Sequence, residues 1–82
     1  MKTQEEIERS VKEIVSNVLK KPLEFITLDS RFQDDLRADS LDLVLLLYEL
    51  EDRLALKLSD QEARSIKTVA DAVRLAGQVA YP

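Results

Sequence analysis

The apolar residues fall on helical spacing in three long stretches, and one of these is apolar on two sides. From Ser40 onward, at about 100° per residue, Leu43, Leu46, Leu47, Leu50 and Leu54 gather on one face with the i, i+3, i+4, i+7, i+11 spacing of a core stripe. Leu41, Val44, Leu45 and Tyr48 repeat the spacing on roughly the opposite face. Asp42, Glu49 and Arg53 fill one gap between the stripes, and Glu51 lies near the other. Such a helix is either buried on both sides or offers one stripe to a partner. A chain of 82 residues favours the second arrangement, because it has little other mass with which to cover both faces.

The other two long stretches have one apolar face each. Ile7, Val11, Ile14, Val15 and Val18 line one side of the first, with Glu5, Glu6, Glu8, Arg9, Lys12 and Glu13 elsewhere on it. Val69, Ala72, Val73 and Ala76 point inward from the last. Local signals bound these segments. Thr3 with Glu6, Ser59 with Glu62 and Thr68 with Asp71 have the spacing of reciprocal N-terminal caps. Lys20 and Lys21 suit a helix C-terminus, and Pro22 stops the first helix. Ser59 to Ala63 reads as a short helical turn, and Leu56 and Leu58 as apolar plugs in the loop before it. Gly77 lies near the end of the last helix, with Val79 able to extend it, and Tyr81-Pro82 reads as a frayed tail. No period-2 alternation runs beyond a few residues, so the expected fold is all-α.

Residues 22–39 form a long connection for so small a protein and must be pinned by their own apolar residues. Leu23, Phe25, Ile26, Leu28, Phe32 and Leu36 are the candidates, and Asp29-Ser30 is placed to cap a short turn. The acidic residues Asp29, Asp34 and Asp35 lack the central glycine and twelfth-position glutamate of a calcium loop. No specific metal site is therefore expected.

Composition narrows the chemistry. The chain has no cysteine and no histidine. It therefore has no disulfide or thiolate chemistry, and it lacks the usual general base and the commonest metal ligand. The net charge of −4 argues against nucleic acid and anionic membranes and favours partners with basic patches. The N-terminus has no apolar signal region, and the apolar run from Leu43 to Tyr48 is too short to span a bilayer. A cytoplasmic protein without stable membrane insertion is expected.

Three readings of Ser40 follow. It stands where an N-cap is needed, with Asp39 and Asp42 favouring the positive end of the helix dipole. As a catalytic serine it lacks a histidine, a Gly-x-Ser-x-Gly elbow and a lysine three residues on. As a residue modified by another enzyme it is well placed, since helix N-terminal amides favour a phosphate ester.

The tripeptide Asp39-Ser40-Leu41, preceded by Asp35-Leu36 and opening an acidic helix, resembles the attachment site of acyl carrier proteins. The resemblance runs from about Phe32 to Ala76. It implies a single acyl carrier domain over residues 1–82: a small four-helix bundle with three longer helices, one short helix and a long loop between the first and second. It implies that Ser40 carries 4′-phosphopantetheine and that the chain is a carrier and not an enzyme. The arm would hold acyl intermediates of fatty acid, lipid or polyketide biosynthesis as thioesters. Leu43, Leu50, Leu58, Ala63 and Ile66 would line an acyl pocket, with Leu43, in place of a common threonine, narrowing its mouth. Asp39, Leu41, Asp42, Val44, Leu45, Tyr48, Glu51 and Asp52 would form the docking surface. The implied partners are a phosphopantetheinyl transferase and the acyltransferases, synthases or ligases that act on the cargo, with the carrier a monomer. Leu45 stands where a glutamate is usual and Arg37 where a glycine is common, which points to a specialised carrier rather than a housekeeping one. The alternatives are an aminoacyl or peptidyl carrier of the same fold, and an unmodified helical interaction module that uses the Leu41–Tyr48 stripe.

Overall fold

A computed structural model describes the backbone of residues 3–80 and the side chains of residues 3–78. Within it α1 spans Gln4–Leu19, α2 Ser40–Arg53, α3 Asp60–Ser65 and α4 Val69–Ala80, with a 3₁₀ turn at Leu23–Phe25. Among the described residues the only extended pairing is an isolated antiparallel bridge between Arg31 and Thr68. The all-α expectation, with three longer helices and a short one, holds. Tyr81 and Pro82, read as a frayed tail, lie outside the described residues.

The helix starts follow the local chemistry. In α1 the Thr3 hydroxyl accepts from the Glu6 amide and the Glu6 carboxylate accepts from the Thr3 amide, at 3.2 and 3.0 Å. The Ser59–Glu62 pair repeats this for α3, at 3.1 and 3.0 Å, and Thr68–Asp71 for α4, at 3.2 and 3.0 Å. Each pair satisfies amides that the first turn leaves without a partner. α1 ends with Lys20 in the left-handed conformation, its amide returning to the Ser16 carbonyl, as helix C-termini commonly do. α3 runs two residues past the expected turn, to Ser65, and α4 passes through Gly77 to Ala80.

α1 lies against both α2 and α4. The shared core contains Ile7, Val11, Ile14 and Val15 of α1, Leu46 and Leu50 of α2, and Val69, Ala72, Val73 and Ala76 of α4. Leu43, Leu47 and Leu54 are half-buried at its margin, as is Val18. Leu75 is also buried, although the pattern read along α4 did not include it.

The 22–39 connection departs from expectation. Ile26, Phe32 and Leu36 are buried, and Ala38 joins them. Leu23, Phe25 and Leu28 are exposed instead, Phe25 by 67%. Backbone pairing across the molecule takes over their anchoring role. The Phe32 amide donates to the Lys67 carbonyl at 3.0 Å, the Val69 amide to Ser30 at 3.0 Å, and the Ala70 amide to Leu28 at 2.9 Å. The Asp29-Ser30 cap does not form. Ser30 is buried and its hydroxyl accepts from the Thr27 amide, while the Asp35 carboxylate accepts from the Arg31 amide. Pairing of residues 28–32 with 67–70 fixes the start of α2 relative to α4.

Candidate functional site

The site is built where this connection enters α2. The Leu36 amide donates to Arg31 and the Ala38 amide to Phe32, at 3.0 and 2.8 Å, so the chain is held up to the residue before the helix. Asp39 then caps it. Its carboxylate accepts from the Asp42 amide at 2.8 Å, and the Asp42 carboxylate accepts from the Asp39 amide at 3.1 Å. Ser40 is therefore the first helical residue and not the N-cap. The reason is geometric: Asp39 holds the extended backbone of a cap, φ −93° and ψ −176°, and has an acidic partner three residues on. Three residues beyond Ser40 stands Leu43, which cannot reciprocate. That contrast is visible in the sequence and distinguishes the two candidates.

Ser40 is left exposed, with its hydroxyl in no hydrogen bond among the described residues. The Asp42 amide is taken by the Asp39 side chain and the Leu43 amide by the Asp39 carbonyl. The amides of Ser40 and Leu41 remain at the helix entrance, where the dipole favours an anion.

The neighbouring charges are arranged rather than loose. Arg31 grips Asp35 through Nε and Nη2, each at 3.1 Å, and reaches Asp34 at 3.5 Å. Side-chain hydrogen bonds from Arg31 hold the Asp35 carboxyl below its usual range, and the same bonds push the Arg31 guanidinium up. No group of three or more metal-ligating side chains occurs among the described residues. Arg37 adopts φ 61°, a left-handed conformation that favours glycine, with its side chain exposed.

The outer stripe of α2 is open: Leu41 is 68% exposed, Val44 61%, Leu45 49% and Tyr48 63%. Asp39 and Asp52 are exposed beside it, and Asp42 is half-buried. Glu51 is different. Its carboxylate accepts from the Leu58 amide at 3.1 Å and its carbonyl from the Leu56 amide at 3.0 Å, so it ties the α2–α3 loop to the helix. A bond to a residue seven positions away leaves no mark in a local pattern.

A cavity of about 450 Å³ opens between the 31–34 loop, α2 and the α3–α4 junction. Leu43, Ala63 and Ile66 line it, as does Phe32, whereas Leu50 and Leu58 do not. Leu50 is 1% exposed and belongs to the sealed core, and Leu58 is held by its bond to Glu51. Leu46 and Leu47 stand in their place, and Arg64 and Lys67 add charge that the sequence reading did not include.

This is a four-helix bundle with a free hydroxyl at the head of its second helix. Residues 9–76 match the family model described as the phosphopantetheine attachment site. The chain is 45% identical over 74 residues to the acyl carrier protein of Rickettsia massiliae (strain Mtu5), covering 90% of this chain and 86% of that protein. It is equally similar to the acyl carrier protein of Rickettsia prowazekii (strain Madrid E). A solved structure of the acyl carrier protein from Enterococcus faecalis superposes with a TM-score of 0.78 at 33% identity, covering 95% of this chain and 99% of that one. The chain belongs to the acyl carrier protein family. It is a carrier and not an enzyme, and its cofactor is 4′-phosphopantetheine. Proteins of this family are modified by a phosphopantetheinyl transferase and work with synthases and acyltransferases. Among the described residues no helix is long and apolar enough to cross a membrane.

Proposed function

We propose that Ser40 is the attachment residue, within a single carrier domain formed by residues 1–82. The observation that carries this reading is the division of labour at the helix entrance. Asp39 does the capping, so the Ser40 hydroxyl is exposed and free to be esterified without loss of the cap. The phosphodiester would face the amides of Ser40 and Leu41. When bound, the arm supplies the thiol that this sequence lacks and holds the acyl group as a thioester. The chain's own residues anchor the arm, shelter its cargo and present both to separate enzymes.

The docking surface in this proposal combines Leu41, Val44, Leu45 and Tyr48 with Asp39, Asp42 and Asp52. Glu51 contributes charge from a fixed position. Leu45 and Arg37 make the surface more apolar and less acidic than a purely acidic helix would be. This supports a carrier dedicated to a limited set of acyltransferases, synthases or ligases of fatty acid, lipid or polyketide synthesis, acting in the cytoplasm as a monomer. Leu45→Glu should weaken binding to such partners; unchanged binding to all of them would remove the case for a dedicated surface.

The decisive experiment is intact mass before and after incubation with coenzyme A and a broad-specificity phosphopantetheinyl transferase. The wild type should gain one phosphopantetheinyl group and Ser40→Ala none. A folded wild type that gains nothing from an active transferase would overturn the assignment. The exposed stripe would then be read as the binding face of an unmodified helical module, with concentration-dependent mass in sedimentation if it closes a dimer.

A further inference from the structure

The cavity lined by Leu43, Leu46 and Leu47 of α2 carries unneutralised positive charge. Along α2 it is lined from Leu43 to Leu47 and stops before the sealed Leu50. Leu43 and Leu47 are about 6 Å apart along the helix axis, at about 1.5 Å per residue. An extended chain of roughly six carbons runs the length of that apolar wall.

The charges at the cavity do not cancel. Arg31 is committed to Asp35 and Asp34, and Asp34, the acidic residue in the lining, is in turn held by Arg31. Arg64 and Lys67 also line the cavity, and among the described residues neither side chain has an ion-pair partner. Two uncompensated cations therefore flank an apolar pocket on a protein whose net charge is −4. Both side chains are exposed, so a plain alkyl chain in the pocket would leave them solvated and form no bond with them. A chain carrying a carboxylate would supply charge-assisted bonds to them.

We propose that the cavity takes an acyl group bearing an anionic terminus, with Arg64 and Lys67 as its counter-charges. This rests on the reading of Ser40 as the arm's attachment point. The arm's own phosphodiester is a second source of anion, and the test separates the two.

The probe is a matched six-carbon pair, adipoyl and hexanoyl, each loaded on the holo protein, with the adipoyl carboxyl labelled with ¹³C. Adipoyl should move the Arg64 Nε–H and Lys67 amide resonances, while hexanoyl should move those of Leu43 and Ala63 without them. The labelled carboxyl should be a stronger acid than in adipoyl-coenzyme A by about threefold in its acid constant, the scale of an exposed ion pair. That difference should vanish in the Arg64→Gln/Lys67→Gln variant and fade at about 0.5 M salt. A carboxyl that titrates as it does in solution, or more weakly, overturns the cargo assignment. So does a holo protein without acyl group that already shows the full Arg64 and Lys67 shifts, since the phosphodiester would then be the anion. A wild type that never accepts the arm overturns the Ser40 reading itself, and intact mass distinguishes that failure from the others.

Discussion

The two faces of α2 have similar side chains and opposite fates. Leu46 and Leu50 are each 1% exposed, while Leu41 on the other side is 68% exposed. Hydrophobicity therefore does not separate the faces; position relative to α1 and α4 does. The inner face contributes to stability and the outer one remains available to partners. Substitution can break this comparison directly. Leu50→Ala should cost about 2–5 kcal/mol in urea unfolding, because the removed atoms leave a cavity in close-packed surroundings. Leu45→Ala should change stability by no more than about 0.5 kcal/mol. Comparable losses at both positions would mean that the outer stripe is covered in the free protein.

The helix entrance offers a smaller contrast between adjacent residues. Asp39→Ala should cost about 1 kcal/mol, the usual worth of an N-cap. Ser40→Ala should cost clearly less, because the Ser40 side chain makes no capping bond. A reversal of that order in thermal unfolding would return the cap to Ser40 and weaken the argument that its hydroxyl is free.

Caps and faces were legible because both are local. Thr3–Glu6, Ser59–Glu62 and Thr68–Asp71 each lie three residues apart, and the α1 stripe is a matter of periodicity alone. The same logic applied to residue 39 gives the Asp39–Asp42 box, a local signal that places the cap on Asp39 and not on Ser40. What stayed hidden depends on chain segments meeting at a distance. The exposure of Leu23, Phe25 and Leu28 follows from the pairing of residues 28–32 with 67–70, which no local pattern encodes. The cavity's limits depend on α2 packing against α1, which seals Leu50, and on the Glu51 bond to Leu58. Its cations come from the α3–α4 junction, brought opposite α2 by the fold.

Acid sharpens the contrast between core and cap. Asp71 accepts from the Lys67 and Thr68 amides at 2.9 and 3.0 Å. These bonds, that from Lys67 foremost, hold its carboxyl below the ordinary value of 3.8. A carboxyl depressed in the folded state contributes stability that is fully present above its unfolded pKa and lost as pH falls through the folded one. Stability should therefore decline below about pH 4. Asp71→Asn, which keeps a capping side chain without the titration, should flatten the slope there. Leu50→Ala should shift the whole curve down without changing its slope. An Asp71→Asn profile parallel to wild type would show that other carboxylates govern the acid limb.

A small effect of the opposite sign is expected on the approach to α2. Arg37 sits at φ 61° on the approach to Ser40, where a side chain is strained and glycine is not. Arg37→Gly should raise stability by roughly 0.5 kcal/mol, the relief of left-handed strain partly offset by the freer unfolded chain. The guanidinium has no ion-pair partner among the described residues, so its removal loses no internal bond. A gain in stability together with a loss of partner binding would mean that the strained arginine is kept for recognition at the outer surface. A gain with binding unchanged would leave Leu45 and the rest of the outer stripe to account for partner choice. A loss of stability would mean that the Arg37 side chain packs in a way its exposure does not reveal, and the division between a structural inner face and a functional outer one would no longer extend to the approach to α2.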